Sequence, residues 1–286
     1  MPIGKGGQWA LWQLVDSCLP TGGFSHSLGL ESAYQVGALP PGEAGLLQFA
    51  RPAVHNVATQ LLPFLSAGHA AASAYLSAIR CASSVDRARS TPLSADSAVQ
   101  CAVLTATDCL CSAEGGDGGQ DEDGLGGEEV QGKRKRGTGA AEGGKRRRGT
   151  EGEGGAASRV DEAIEAFMAA WVPVDRRLAA NLAGNAVASR ASSAQGAALV
   201  RLALSSLLPP EEGEEGGGAA YRLLAAMRRR SLPGGHPPRG KAALHHAPLF
   251  GAVTALLGAG EADARAAYVF VATRDVCSAG NRLGVV

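Results

Sequence analysis

The chain has 286 residues, 27 basic against 27 acidic for a formal charge of zero, and is 45% hydrophobic with only 5% aromatics. A balanced charge gives no long-range pull on nucleic acid or an anionic membrane. An apolar share carried mainly by Ala, Leu and Val favours helices over strands.

The first residues carry one Lys and a short apolar stretch broken by Gln13, which matches neither a signal peptide nor an Arg-rich transit sequence. Leu11, Leu14, Val15 and Cys18 recur at i, i+3, i+4, i+7 and predict a helix ending before Pro20. Leu30, Ala33 and Tyr34 start a second, closed near Gly37. Val54, Val57, Ala58 and Leu61 mark a third, continued beyond Pro63 by an Ala-rich run to Ile79. Residues 52–79 and 242–260 hold no Asp, Glu, Lys or Arg, a length that would span a bilayer. His55, Asn56, Gln60 and His69 in the first, and His245, His246 and Pro248 in the second, instead suit buried helices of a soluble protein.

Residues 113–157 break the pattern. Sixteen of these 45 positions are glycine, and acidic clusters (Asp121–Asp123, Glu128-Glu129) alternate with basic ones (Lys133–Arg136, Lys145–Arg148). Such a stretch buries too little apolar area to offset chain entropy, so it is expected to be a disordered insert. Beyond it, Ile164, Phe167, Met168 and Trp171 form a stripe that Pro173 is expected to close. Leu178, Leu182, Leu199, Leu202 and Leu207 continue through two more helices. Pro248 suits a first helical position, ahead of Leu249, Val253, Leu256 and Leu257. Tyr268, Val271, Ala272, Ala279 and Leu283 line the last helix. The expectation is all-α: a single bundle-like domain of about eight to ten helices, formed by 9–111 and 160–286 around the insert.

No catalytic signature emerges. Gly127–Lys133 and Gly139–Lys145 fit a phosphate-binding loop only up to the lysine, because Arg134 and Arg146 stand where Ser or Thr must hold magnesium. Ser25 and His26 are adjacent and, on a helix, would point apart, against a nucleophile and base. Cys101, Cys109 and Cys111, or His236, His245 and His246, supply metal-ligand chemistry without the paired spacing of a structural zinc site. His245 and His246 remain weak metal candidates. Six scattered cysteines read as free, buried thiols in a reducing compartment, here the cytoplasm. The basic runs are screened by acidic neighbours within a Debye length, about 8 Å.

Three phrases carry a resemblance. The first is Leu14-Val15-Asp16-Ser17-Cys18-Leu19-Pro20-Thr21-Gly22-Gly23-Phe24-Ser25-His26-Ser27 running into Gly29-Leu30-Glu31. The second is Asn185 with Arg190-Ala191-Ser192 and Gln195-Gly196, leading to Leu199-Val200-Arg201. The third joins His246-Ala247-Pro248-Leu249-Phe250-Gly251 to Arg274-Asp275, Ser278-Ala279 and Arg282-Leu283-Gly284. In this order they resemble the urease accessory protein UreF family over residues 9–111 and 160–286. The insert is foreign to compact bacterial members. Members also continue past the closing phrase with a polar tail that helps grip a partner, whereas this chain stops at Val286.

The resemblance implies an all-α homodimer without a catalytic centre. It would bridge the accessory protein UreD (also called UreH) and the GTPase UreG on apo-urease, with nickel handled by the complex and no firmly bound cofactor. Neither nucleic acid nor membrane would be a partner. Candidate contact residues are Pro20, Gly22, Gly23, Phe24, Ser25 and His26 in the glycine turn. Glu31, Arg190, Arg274, Asp275 and Arg282 are the others. As sequence neighbours, Arg274 and Asp275 should not pair along a helix. The rival expectations are a helical scaffold unrelated to urease and a metallochaperone that itself binds nickel. Phe24→Ala is expected to weaken capture of the UreD/UreH partner with helical content intact; undiminished co-purification counts against it.

Overall fold

The computed structural model describes residues 5–16, 28–90, 153–208, 210, 218–231 and 243–285. Among these, the described residues of 1–84 and 153–285 belong to one compact unit. Most of the expected insert, 113–152, lies outside the described residues.

The described residues form helices and no β-strand. They are α1 (Lys5–Val15), α2 (Leu30–Gln35), α3 (Glu43–Asn56), α4 (Leu62–Ser90), α5 (Glu153–Asn181), α6 (Ala186–Leu202), α7 (Ala219–Arg230), α8 (His246–Leu256) and α9 (Glu261–Arg282). One π-helical turn, Val57–Leu61, joins α3 to α4, and another, Ala203–Leu207, extends α6. None of the described helices is long and apolar enough to cross a membrane.

Three local expectations are corrected. Pro173 does not close a helix: α5 runs through it to Asn181. The proline removes one helical hydrogen bond, to the carbonyl of Ala169. That residue is exposed, so water can satisfy it, while Trp171, Asp175 and Leu178 are packed inside on either side. Helix α5 also begins at Glu153, within the stretch expected to be insert. Cys81 and Cys277, expected buried, are exposed free thiols on the outer faces of α4 and α9; the other four cysteines lie outside the described residues.

The eleven residues of α8 are all buried, and this helix is the axis of the main core. It packs on α6, α9 and α5. Two of its neighbours approach to backbone contact. A Cβ added at Gly251 would stand 2.0 Å from the Leu65 carbonyl oxygen of α4, and one at Gly68 would stand 2.0 Å from that of Pro248. On the α6 side, a Cβ at Gly196 would lie 1.7 Å from the Leu244 carbonyl oxygen. Only glycine leaves room for helices this close.

The start of α8 is held by a buried carboxylate. Asp175 of α5 is fully buried. Its Oδ2 accepts the Ala243 N–H at 2.7 Å and its Oδ1 accepts the His245 N–H at 2.8 Å. Ser192 Oγ of α6 accepts the next amide, that of His246, at 3.2 Å. Helix N-termini leave their first amides without helical partners, and a negative charge there also meets the positive end of the helix dipole. Between the two clamped amides, Leu244 sits at φ 57°, a left-handed conformation costing about 1–2 kcal/mol in a residue with a Cβ. The bonds on either side enforce it. Burial pushes the Asp175 carboxyl above its ordinary value, opposed by the His245, Ala243 and Leu244 amides and by the adjacent His245 side chain.

At the first residue of α8, His246 joins an aromatic cluster with Phe250 and Tyr268. Its ring centroid lies 5.7 Å from Phe250 and 5.3 Å from Tyr268, and those two are 5.2 Å apart, edge to face. Pro248 is the third residue of α8 instead of the first, still in the turn where its missing N–H costs nothing. A second, smaller cluster of Leu30, Leu46, Val276, Ala279 and Val285 fixes the end of α9 against α2 and α3.

Two outcomes follow. Asp175→Asn keeps the shape but turns one acceptor into a donor facing an amide. It is expected to cost about 3 kcal/mol of unfolding free energy, read by urea denaturation. Desolvation pushes the imidazole of His246 down to about 4, from an unfolded value of 6.5. Between those values the unfolded chain holds a proton that the folded chain does not. Stability present above pH 6.5 is therefore lost as pH falls through the window, by roughly 3 kcal/mol at its lower end. Melting temperatures measured from pH 7 to 4 should show this slope, and His246→Phe should flatten it.

Candidate functional site

The residues singled out in the sequence separate into three groups. Pro20, Gly22, Gly23, Phe24, Ser25 and His26 lie outside the described residues. Glu31 and Arg190 are exposed on α2 and α6. Glu31 Oε1 accepts a hydrogen bond from Gln35 Nε2 at 3.4 Å, and Arg282 is exposed near the end of α9. In the third group, His246 and Asp275 line one cavity, Arg274 pairs with Asp275, and His245 lies beside Asp175 of α5.

Arg274 and Asp275 do pair, contrary to the expectation from their adjacency. Arg274 donates Nη2 to Asp275 Oδ1 at 2.7 Å and Nε to the same oxygen at 3.1 Å. Helical neighbours point about a third of a turn apart, but the long arginine stem curls back far enough to close the gap. Its remaining arm, Nη1, donates to the Val15 carbonyl oxygen at 2.6 Å, one of the open carbonyls at the end of α1. The guanidinium thus ties α1 to α9 across 259 residues of chain. Asp275 is buried and lines a cavity of about 130 Å³ with His246, Tyr268, Ser192 and Gln195. Burial, helped by the Asp275 carboxylate, pushes the Tyr268 hydroxyl above its ordinary range.

His245 and His246, the weak metal candidates, are core residues. His245 is fully buried beside Asp175, and His246 packs in the aromatic cluster. Among the described residues no group of three His, Cys, Asp or Glu side chains is placed to hold a metal ion.

Two features escaped the sequence reading. Asp175 had a signal: Trp171, Asp175, Leu178 and Leu182 recur at i, i+4, i+7 and i+11, so an acid sits on an apolar stripe. Helix α7 was also readable, from Leu223, Leu224 and Met227, which are buried, followed by Arg228, Arg229 and Arg230 in its last turn. A third, the exposed aromatic ridge on α1 and α9, only the fold could assemble. Trp9 is 72% exposed, Trp12 63% and Phe270 55%. Trp12 and Phe270 flank a cleft of about 330 Å³ floored by Leu11, Val15, Ala266 and Ala267.

The UreF family is matched by residues 150–286. Those residues contain Asp175, the Ser192–Gly196 segment, α8 and the Arg274-Asp275 pair. A urease accessory protein F of Oryza sativa subsp. indica is 24% identical over 278 residues, 97% of this chain and 64% of its own length. One of Arabidopsis thaliana is 48% identical over 58 residues, 20% of this chain and 24% of that protein. The chain thus spans about 64% of the length of the rice relatives it matches. No solved structure matches. Residues 150–286, just under half of the chain, match the family, and relatives of that name align along almost all of its length, so the chain is similar to the UreF family.

Proposed function

We propose that the chain is a non-catalytic assembly protein in urease maturation, bridging UreD/UreH and the GTPase UreG so that nickel reaches apo-urease. Similarity to the UreF family carries this reading. The disposition of the motif residues supports it. Ser192, Gly196, His246, Pro248 and Gly251 hold α8 in place, and Arg274 and Asp275 hold α1 on α9. Their polar groups are engaged in this framework instead of converging on a substrate.

The surface left for partners includes the ridge of Trp9, Trp12 and Phe270. Large exposed aromatics beside an apolar cleft are the type of group that dominates binding energy once a partner excludes water. Arg274 positions the ridge through the end of α1, so it takes part in recognition indirectly.

The test is co-expression of the full chain with UreD/UreH, UreG and apo-urease, followed by affinity capture and a urease assay in nickel-containing medium. The chain is expected to retain both proteins and to raise urease activity. Joint substitution Trp12→Ala and Phe270→Ala should lower retention of at least one of them with the circular dichroism spectrum unchanged. Activity no higher than without the chain, together with failure to retain either protein, would overturn the proposal.

A further inference from the structure

Several arginines of the described surface are spent on nearby acids. Arg222 pairs with Asp161 at 3.0 Å, Arg230 with Glu165, and Arg265 with Glu261 at 3.6 Å. Arg190, Arg201 and Arg228 differ: no ion pair among the described residues includes them. All three are exposed and line a single groove of about 500 Å³ between α6 and α7. Ala194, Ala197 and Val200 also line it, Leu244 closes one side, and no described carboxylate is present.

The spacing gives the groove a defined reading length. Arg190, Ala194, Ala197 and Arg201 recur at i, i+4, i+7 and i+11, one stripe along α6. Eleven residues at the helical rise separate the two arginine backbones by about 16 Å. In an extended peptide advancing about 3.3 Å per residue with side chains alternating in direction, residues four apart share a face about 13 Å apart, within reach of the two long arginine side chains. Arg228 supplies the third positive charge from the last turn of α7. Guanidinium groups engage carboxylates through paired, charge-assisted hydrogen bonds, and the alanines between them leave space for a side chain without charge.

We propose that the groove between α6 and α7 binds an extended acidic peptide segment of another protein, with carboxylates four residues apart on Arg190 and Arg201 and an aliphatic side chain midway between them over the alanines. A single phosphate is too small to meet both arginines across that separation. Nucleic acid is disfavoured by the apolar floor and by a chain of zero formal charge, which lacks the field that gathers polyanions. The inference stands on the groove itself and does not depend on the urease reading, because the probe is a free peptide.

The experiment titrates the purified full chain into a fluorescein-labelled peptide carrying Glu at its first and fifth positions, Val at its third and Ala at the others. Saturable binding that weakens with added salt is expected. Arg190→Glu with Arg201→Glu should reduce affinity by about tenfold or more, as should replacing both peptide glutamates by Gln. Arg51→Glu, on the exposed face of α3, should leave binding unchanged. Should the double charge reversal disturb the helices, Arg190→Gln with Arg201→Gln replaces it. The proposal is overturned if the Gln peptide binds as tightly, or if Arg51→Glu weakens binding equally. It also falls if inorganic phosphate or duplex DNA binds the wild type more tightly than the peptide and loses that affinity in the double variant.

Discussion

The buried carboxylate of Asp175 is the interaction on which the rest of the structure depends. A charge taken out of water is costly unless its lone pairs are filled and a compensating charge or dipole lies near. Here two amides fill it and the positive end of α8 faces it. The clamp fixes where α8 begins, and thereby the height of every side chain along it. His246 consequently meets Phe250 and Tyr268, and Gly251 meets the backbone of α4. A shift of one residue would drive a Cβ into the Leu65 carbonyl on one side and leave an amide unfilled on the other.

Glycine supplies the second half of the arrangement. Gly68, Gly196 and Gly251 bring α4, the strained Leu244 and α8 within backbone contact. Dispersion forces grow steeply at such separations, and the interior gains density without needing large side chains. This explains how a chain so poor in aromatics builds a core. Besides the rings around Phe250 and Tyr268, the core gathers Trp171, Phe167 and Tyr75 at one place: Phe167 lies 6.4 Å from Trp171 and 6.3 Å from Tyr75. The phenol of Tyr75 donates to the Ala219 carbonyl at 2.8 Å, tying α4 to the start of α7.

Much of the fold was legible in the sequence because helical periodicity is a local property. The stripes at Leu11–Val15, Ile164–Trp171 and Leu249–Leu257 each landed on a helix. Helix ends were less legible. A proline such as Pro173 reads as a stop, yet whether it is one depends on what packs beyond it, and Trp171 and Leu178 outweigh one lost hydrogen bond. The candidate surfaces were the least legible. Arg274 pairs with its neighbour because the Val15 carbonyl, far off in sequence, draws its guanidinium into that position. The ridge of Trp9, Trp12 and Phe270, and the three-arginine groove, exist only after distant helices have been placed. The glycine turn at Gly22 and Gly23 belongs to residues whose structure is not described.

The late position of α8 along the chain bears on biosynthesis. A ribosome makes α1 through α7 before the helix they surround, and Arg274 reaches the carbonyl of Val15 only after that. The bonds from His69 to Ala259 and from Tyr75 to Ala219 also close loops of well over a hundred residues. Until α8 emerges, the nascent polypeptide holds apolar stripes with no interior to enter. Contacts of such long range slow the search for the native state and lengthen the interval in which aggregation competes. The same central helix that makes the finished molecule cohesive therefore leaves its newly synthesised precursor with apolar surface uncovered until nearly the whole domain has been made.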